Sequence, residues 1–412
     1  MRIWNYISAV LAAIIGTVIL QACEKVEAEE ITYEEKETTI VIYMVSNNDL
    51  AGTAVNNINK ILEGYIPSDG NLVVYSNNFN LATGEKLGEP MTLVNLFKDE
   101  GGKIIRDTII DRFPISNSAT KERLKSVLSV VKTTLPAKKY GIIFWSHATG
   151  WLPSGYYSKD TDDDAIETSS DKYAGHFDPY AGMVKSFGKE GDTEMPITDL
   201  ANSIPYKMEF IAFDACLMGG IETAYQLKDL CDYYIASPTE ILANGFPYET
   251  VIQPLFEEDY TAATKAVYDY YAVQSGDYRS VTISLVKSSA LDEVATQAKR
   301  IFDLYRNNIA TLDVRSIQPY FRYNKHWFYD IKDFMSKLAG EDAEAFNEAL
   351  DNAVIAKYTT GKMLNLNIDP ARFSGISTYI NNPSNDELDA YYQGLEWDKA
   401  VNMINAPDAP SL

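Results

Sequence analysis

The chain has 412 residues, 46% hydrophobic and 23% charged, a globular composition with room for one large domain or two ordinary ones. Its 58 acidic residues against 36 basic ones leave a formal charge of −22. That balance excludes an ordinary nucleic-acid binder, because phosphate backbones are held by clustered Lys and Arg, and it favours cationic partners.

Arg2 precedes an apolar run from Ile7 to Leu20 that is too short for a membrane span and sits where an export signal belongs. The run closes in Leu20-Gln-Ala-Cys23, which resembles a bacterial lipobox. Residues 1–22 are therefore expected to be a lipoprotein signal peptide, with Cys23 lipidated and residues 23–38 a charged tether without core residues. The implied location is the outer membrane or cell surface of a Gram-negative bacterium, with the membrane reached through the N-terminal lipid.

Thr39–Val45 reads as the first core strand, and Asn47–Gly52 is turn chemistry leading into a helix near Thr53–Glu63. Asn71–Ser76 is a second strand, with sheet-extending strands at Met91–Phe97 and Lys103–Ile110. An amphipathic helix over Thr120–Thr133 is stopped by Pro136 and followed by the apolar run Tyr140–Trp145. From 151 to 201 the pattern breaks, with acidic runs at Asp160–Asp164 and Thr168–Asp171, which predicts an irregular loop. Met208–Phe213 is the next core strand, Cys216–Lys228 has helical spacing and Asp232–Ala236 is another strand. Helices are expected at Tyr260–Ser275 and Ser288–Asn307, flanking a strand at Val281–Val286. Beyond them the pattern predicts helices over Trp327–Leu338 and Ala343–Lys357 and strands near Lys362–Ile368 and Gly375–Tyr379. Strands alternating with helices predict an α/β protein, its mostly parallel sheet flanked by helices on both faces.

Two of these runs end abruptly in one reactive side chain. Tyr140-Gly-Ile-Ile-Phe-Trp-Ser leads to His147, and Phe210-Ile-Ala-Phe-Asp-Ala leads to Cys216. A strand buried on both faces reads as a continuous apolar run, and the polar residue just past its end sits where open α/β sheets bind ligands. If the two strands are neighbours, thiol and imidazole meet at one sheet edge, the layout of a cysteine nucleophile with a histidine base. Both residues are followed by glycine-containing turns, Thr149-Gly150 and Gly219-Gly220, whose N–H groups can hold an oxyanion. No Gly-x-Ser-x-Gly elbow is present, and His147, His176 and His326 lie too far apart for a helical zinc pair, so neither a serine hydrolase nor a metal site is expected. Cys231 follows a helix-like stretch and so falls at the opposite sheet edge from Cys216; two free thiols are expected, with Cys231 a small buried apolar residue.

The motifs Ser146-His147-Ala148-Thr149-Gly150-Trp151 and Asp214-Ala215-Cys216-Leu217-Met218-Gly219 resemble those of the clostripain family of cysteine peptidases, in the caspase-like clan. A third stretch, Ala236–Tyr248, fits as well, and the resemblance spans roughly Thr39–Val286. It implies a caspase-like peptidase domain over 39–290 and a C-terminal α/β extension over 291–412 packed on the same domain. It also implies a cysteine endopeptidase that cuts protein or peptide substrates after Arg or Lys. Cys216 would be the nucleophile and His147 the acid/base, without a third acidic member and without a cofactor. The N–H groups of Cys216 and Ala148 would form the oxyanion hole. The family has glycine where this chain has Ala148, which would be strained if the position required positive φ. The substrate pocket would be read by Asp214, with Asn244 at a second position that is acidic in the family and Glu240 nearby. Asp214 also reads as a cap of the following helix.

Relatives are often cut between histidine and cysteine, where Lys159, Lys172, Lys185 and Lys189 lie here, and loop-tip exposure favours Lys159 and Lys172. Calcium stimulates some relatives; the Asp160–Asp164 run lacks EF-hand spacing and reads as a solvated loop, so no metal is expected. A monomer is expected. The competing reading, drawn from Ala148 and Asn244, is a catalytically inactive caspase-like surface lipoprotein acting as a binding module. A glycan-binding lipoprotein would rest only on the 28 tyrosines.

Overall fold

Among the described residues the longest apolar runs lie in strands that are covered on both faces, and these build the main sheet. The computed structural model describes residues 34–404, apart from 65–68, 77–78, 81–84, 87–91, 99–102, 111–112, 114–116, 157–186, 192, 323–324, 326 and 382–384. The expectations for residues 1–33, Lys159, Lys172, Lys185, His176, His326 and the Asp160–Asp164 run fall outside the described residues.

Among the described residues the main sheet has nine strands: β1 (Lys36–Met44), β2 (Gly70–Ser76), β3 (Thr92–Lys98), β4 (Ile104–Ile110), β5 (Ala137–Trp145), β6 (Met208–Asp214), β7 (Cys231–Ala236), β8 (Thr282–Lys287) and β9 (Val354–Thr359). Their order is β9-β8-β7-β6-β5-β1-β2-β3-β4. The central strands β7, β6, β5, β1 and β2 are mutually parallel. Antiparallel pairs β8–β9 and β3–β4 extend the two edges. Residues 38–44 of β1 and all of β2 are buried, as parallel strands covered on both faces must be.

One face packs Ile40, Ile42, Leu72, Val74, Ile143, Phe210 and Ile283 against helices α1 (Ala51–Glu63), α5 (Tyr248–Phe256) and α6 (Tyr260–Ala272). The helices between these in the chain, α2 (Lys121–Thr134), α3 (Ile197–Ser203) and α4 (Ile221–Leu227), pack on one another in sequence. On that second side an aromatic ladder crosses the sheet from Tyr75 to Tyr43, Phe144, Phe213 and Tyr234, with centroid spacings of 4.5, 6.2, 5.1 and 5.6 Å. Its polar tips are satisfied: the Tyr43 hydroxyl donates to the Ser118 carbonyl at 2.8 Å, and the Tyr75 hydroxyl meets Ser118 Oγ at 2.8 Å. Each such cross-strand pair contributes roughly 0.5–1 kcal/mol and resists a register slip, which would turn every ring to the other face. The pair Phe144–Phe213 lies just before the ends of β5 and β6, so the ladder also sets the register of whatever follows those strands.

Several elements differ from expectation: the helix expected from Trp327 begins only at Ile331, and α5 was not anticipated. The helix predicted through Lys357 stops at Ala353, and Val354–Thr359 joins the sheet as β9, its first four residues alternating buried and exposed. Pairing with β8 outcompetes another helical turn in a β-branched, alternating segment. The helix predicted from Cys216 begins only at Ile221, because residues 216–220 form a turn in which Leu217 has φ +60°. The irregular loop predicted to 201 ends earlier: Phe187–Glu190 and Thr193–Met195 pair as a hairpin, and α3 follows. Among the described residues no helix is long and apolar enough to cross a membrane.

Candidate active site

Strands β5 and β6 are hydrogen-bonded neighbours with Trp145 opposite Asp214. Two residues further along each strand direction come His147 and Cys216, and both line one cleft with Leu50, Asp214, Ile241 and Leu242. It lies past the carboxyl ends of the parallel strands, where open α/β sheets place their ligands.

His147 is 2% exposed. Its carbonyl accepts from the Gly188 N–H of the hairpin at 3.1 Å, and the neighbouring Ser146 hydroxyl donates to the Val45 carbonyl at 3.0 Å. Its Nε2 lies 2.9 Å from Oδ1 of Asp49, a residue that sequence reasoning did not single out. The signal was present: Asn47-Asn48-Asp49 follows the end of β1 with two residues between, and β1 is the other neighbour of β5. Ala148 is not among the residues with positive φ, so its side chain is accommodated without strain. Glycine is needed two residues later. Gly150 has φ +62°, and a Cβ there would lie 2.5 Å from the Leu217 carbonyl, so the histidine loop and the cysteine turn touch backbone to backbone.

Cys216 is partly exposed. The Ile241 N–H donates to its Sγ at 3.3 Å, and the thiol faces the Ile241 carbonyl at 3.6 Å. The turn is laced to the segment after β7: the Leu217 N–H donates to the Thr239 carbonyl at 2.8 Å and the Gly219 N–H to the Ser237 carbonyl at 2.7 Å. Burial of the sulfur, with the nearby Glu240 charge, pushes the thiol up to about 12 against the opposing Ile241 N–H and Arg322. The resting thiol is therefore protonated at neutral pH and needs a base beside it to become a nucleophile. Among the described residues, neither the Cys216 nor the Ala148 N–H donates to a backbone carbonyl.

Asp214 is 4% exposed and lines the cleft. Its Oδ2 accepts from the Phe246 N–H at 2.9 Å and the Tyr248 hydroxyl at 2.8 Å, which ties β6 to the loop over 241–247. Burial pushes its carboxyl up to about 6, opposed by those two bonds and by Lys60. Glu240 is engaged elsewhere: Arg322 holds it with two bonds of 2.7 Å, and both side chains are largely buried. Asn244 is partly buried, and its carbonyl accepts from Lys60 Nζ at 3.1 Å. Among the described residues Cys216 and Cys231 are both free thiols, and Cys231 is buried at the start of β7, at the far edge of the sheet from Cys216.

The cysteine turn is also braced from the C-terminal part of the chain. The Ser377 N–H donates to the Gly219 carbonyl at 2.9 Å. Glu222 at the start of α4 is fully buried, and its Oε1 accepts from Thr378 Oγ1, the Tyr379 N–H and the Tyr392 hydroxyl at 3.0, 2.8 and 2.8 Å. Its Oε2 finds no partner among the described residues, and burial pushes the carboxyl from the ordinary 4.5 up to about 7. A carboxyl raised in the folded state keeps a proton that the unfolded chain releases, so between about pH 4.5 and pH 7 folding loses stability as pH rises. Glu222→Gln should therefore raise the thermal midpoint more at pH 8 than at pH 4.5; an equal change at both would contradict a buried, proton-holding Glu222.

Among known proteins, the sequence pattern of the clostripain family, Peptidase_C11, matches residues 42–168 and 184–404. Clostripain of Hathewaya histolytica is 24% identical over 407 residues, which cover 92% of this chain and 66% of that protein. The chain thus spans just under two thirds of that relative's length. An inactive zymogen C11 protease from Parabacteroides distasonis superposes with a TM-score of 0.73 at 30% identity, covering 90% of this chain and 99% of the other. A secreted C11 cysteine protease from Bacteroides thetaiotaomicron, in complex with an irreversible peptide inhibitor, superposes with a TM-score of 0.71 at 27% identity, covering 89% and 99%.

Proposed function

The chain belongs to the clostripain family, and from that premise we propose that it is a cysteine endopeptidase in which Cys216 is the nucleophile and His147 the acid/base. The observation that supports this reading is that both residues line one cleft at the carboxyl edge of adjacent parallel strands.

In this reading His147 takes the thiol proton as substrate settles, and the sulfur attacks the scissile carbonyl carbon. The oxyanion is received by the N–H groups of Cys216 and Ala148. When the C–N bond breaks, the imidazolium gives its proton to the departing amine and an acyl-thioester remains. Water then loses a proton to His147 and adds to the acyl carbon; the thioester breaks, and the thiol recovers the proton. The balance closes without a cofactor.

Preference for Arg or Lys before the cut would be carried by Asp214, since Glu240 already holds Arg322 and Asn244 is neutral. A single carboxylate supports a preference of roughly tenfold to a hundredfold, the scale of one desolvated charge pair. Export as a lipoprotein through Cys23, with anchorage at the outer membrane or cell surface, completes the proposal; secreted relatives and the sequence of residues 1–23 support it. Processing at Lys159 or Lys172 is the corresponding proposal for maturation.

The test is a panel of fluorogenic peptides identical except for Arg, Lys, Ala or Glu before the bond. Arg and Lys peptides should be cut at least about tenfold faster than Ala, and Glu not at all. The basic advantage should narrow as pH falls through about 6, where Asp214 takes up a proton. Hydrolysis of none of the four, by chain processed or unprocessed, would leave the inactive binding module as the better reading.

A further inference from the structure

We propose that Asp49 is a positioning residue for His147, and so a third member of the site; the inference rests on the peptidase reading above. The contact is specific. Asp49 lies 98 residues before His147, on the turn between β1 and α1, and its Oδ1 reaches Nε2 at 2.9 Å.

Asp49 sits one residue ahead of Leu50, the N-cap of α1, and so is not at the position from which a side chain caps that helix. Here no side chain caps α1 from the N-cap position, Leu50. The local work is done by Asn48 instead: its Oδ1 accepts from the Leu50 N–H at 2.9 Å, its Nδ2 donates to the Val45 carbonyl at 3.1 Å, and its own carbonyl accepts from the Ala51 N–H at 3.1 Å. From this turn Asp49 Oδ1 reaches the imidazole that follows β5.

The turn itself is fixed from a second side. Glu190 of the hairpin accepts from Asn47 Nδ2 at 3.2 Å and from the Ser118 N–H at 2.7 Å. The same hairpin supplies the Gly188 N–H to the His147 carbonyl at 3.1 Å. The imidazole is thus held by its backbone and by its ring, and both holds lead to the one hairpin.

The chemistry follows from donor and acceptor rules. An ionised carboxylate only accepts, so the contact keeps a proton on Nε2 and leaves Nδ1 as the nitrogen that can take the Cys216 proton. When it does, the ring carries both protons and a positive charge beside the Asp49 carboxylate. Nδ1 then passes its proton to the leaving amine, while Asp49 neither gains nor loses one. Asp49 touches no substrate; it acts by fixing which nitrogen works and where the ring points.

The experiment uses the mature chain as wild type, Cys216→Ala, Asp49→Ala and Asp49→Asn, with a cleavable peptide as probe. Asp49→Ala should lower kcat about 10- to 100-fold with KM little changed, the cost of losing a group that orients a reacting side chain. Asp49→Asn, whose carbonyl can still accept from Nε2, should recover most of that loss. Imidazole ¹⁵N NMR, workable with three histidines in the chain, should show the Nε2–H form of His147 in wild type and Asp49→Asn and its loss in Asp49→Ala. Wild-type kcat in Asp49→Ala, or an Nε2–H form that persists there, would overturn the role of Asp49. Absence of turnover in wild type, or turnover that survives Cys216→Ala, would instead sink the peptidase reading and leave the NMR result to decide on Asp49.

Discussion

Cys216→Ala should reduce peptide turnover to background, a fall of about 10⁴-fold or more, while the melting midpoint falls by no more than about 4 °C. The first half follows from losing the atom to which the acyl group would be bonded; other residues of a nucleophilic site cannot replace it. The second follows from what the sulfur touches. Its contacts are to the Ile241 backbone at 3.3 and 3.6 Å, and the turn is held independently by the Leu217 and Gly219 N–H groups. Losing one N–H···S contact at a partly exposed residue costs about 1 kcal/mol. A companion measurement uses the raised thiol. With its proton held up to about 12, free Cys216 should react more slowly than cysteine itself with a small neutral alkylating reagent. A peptide-like irreversible inhibitor should label it faster than cysteine, because substrate-like groups bring the sulfur, His147 and the carbonyl together. Turnover retained in Cys216→Ala, or a peptide-like probe that labels no faster than the small reagent, would remove the nucleophile from the proposal.

Gly219→Ala should destabilise the fold by about 3 kcal/mol or more and abolish activity with it. A Cβ at this position would lie 2.4 Å from the Pro238 nitrogen and 2.6 Å from the Ser237 carbonyl carbon, both backbone atoms. Neither side can retreat. The Gly219 N–H donates to the Ser237 carbonyl at 2.7 Å, and its own carbonyl accepts from Ser377 at 2.9 Å. Ser237 and Thr239 are pinned through the Thr282 hydroxyl on β8 at 2.8 Å each. Overpacking against a fixed backbone forces the turn off its carbonyls and costs its hydrogen bonds as well. Gly52→Ala is the control, since a Cβ in that turn of α1 meets nothing within 4 Å; it should be neutral or stabilise by about 0.5–1 kcal/mol. Denaturant melts compare the two, and a Gly219→Ala protein with the wild-type midpoint would show that the turn is not braced as described.

How much of this was legible can be judged residue by residue. Thr39–Val45, Tyr140–Trp145 and Met208–Phe213 announced themselves as core strands because a strand covered on both faces has no polar side to display. His147 and Cys216 stood out because each interrupts such a run at its carboxyl end. Val354–Lys357 reads as the end of a helix, since the six residues of β9 in isolation carry too little signal to show that β8 offers them an open edge. The hairpin at Phe187–Met195 was hidden by the polar stretch before it.

The sequence by itself determined the central parallel sheet, the positions of the thiol and the imidazole at its carboxyl edge, and the separation of Cys231 from them. Those properties are written in local periodicity, and burial of apolar side chains enforces them wherever the rest of the chain goes. Only the tertiary structure decided that Asp49 comes within 2.9 Å of the imidazole, that Arg322 has already claimed Glu240, and that Ala148 escapes positive φ while Gly150 does not. A carboxylate has the same letter whether it faces water, a helix end or a buried cation. Which of these it meets depends on segments far away in sequence being brought within 3 Å by the packing of the sheet, and no local pattern encodes that distance.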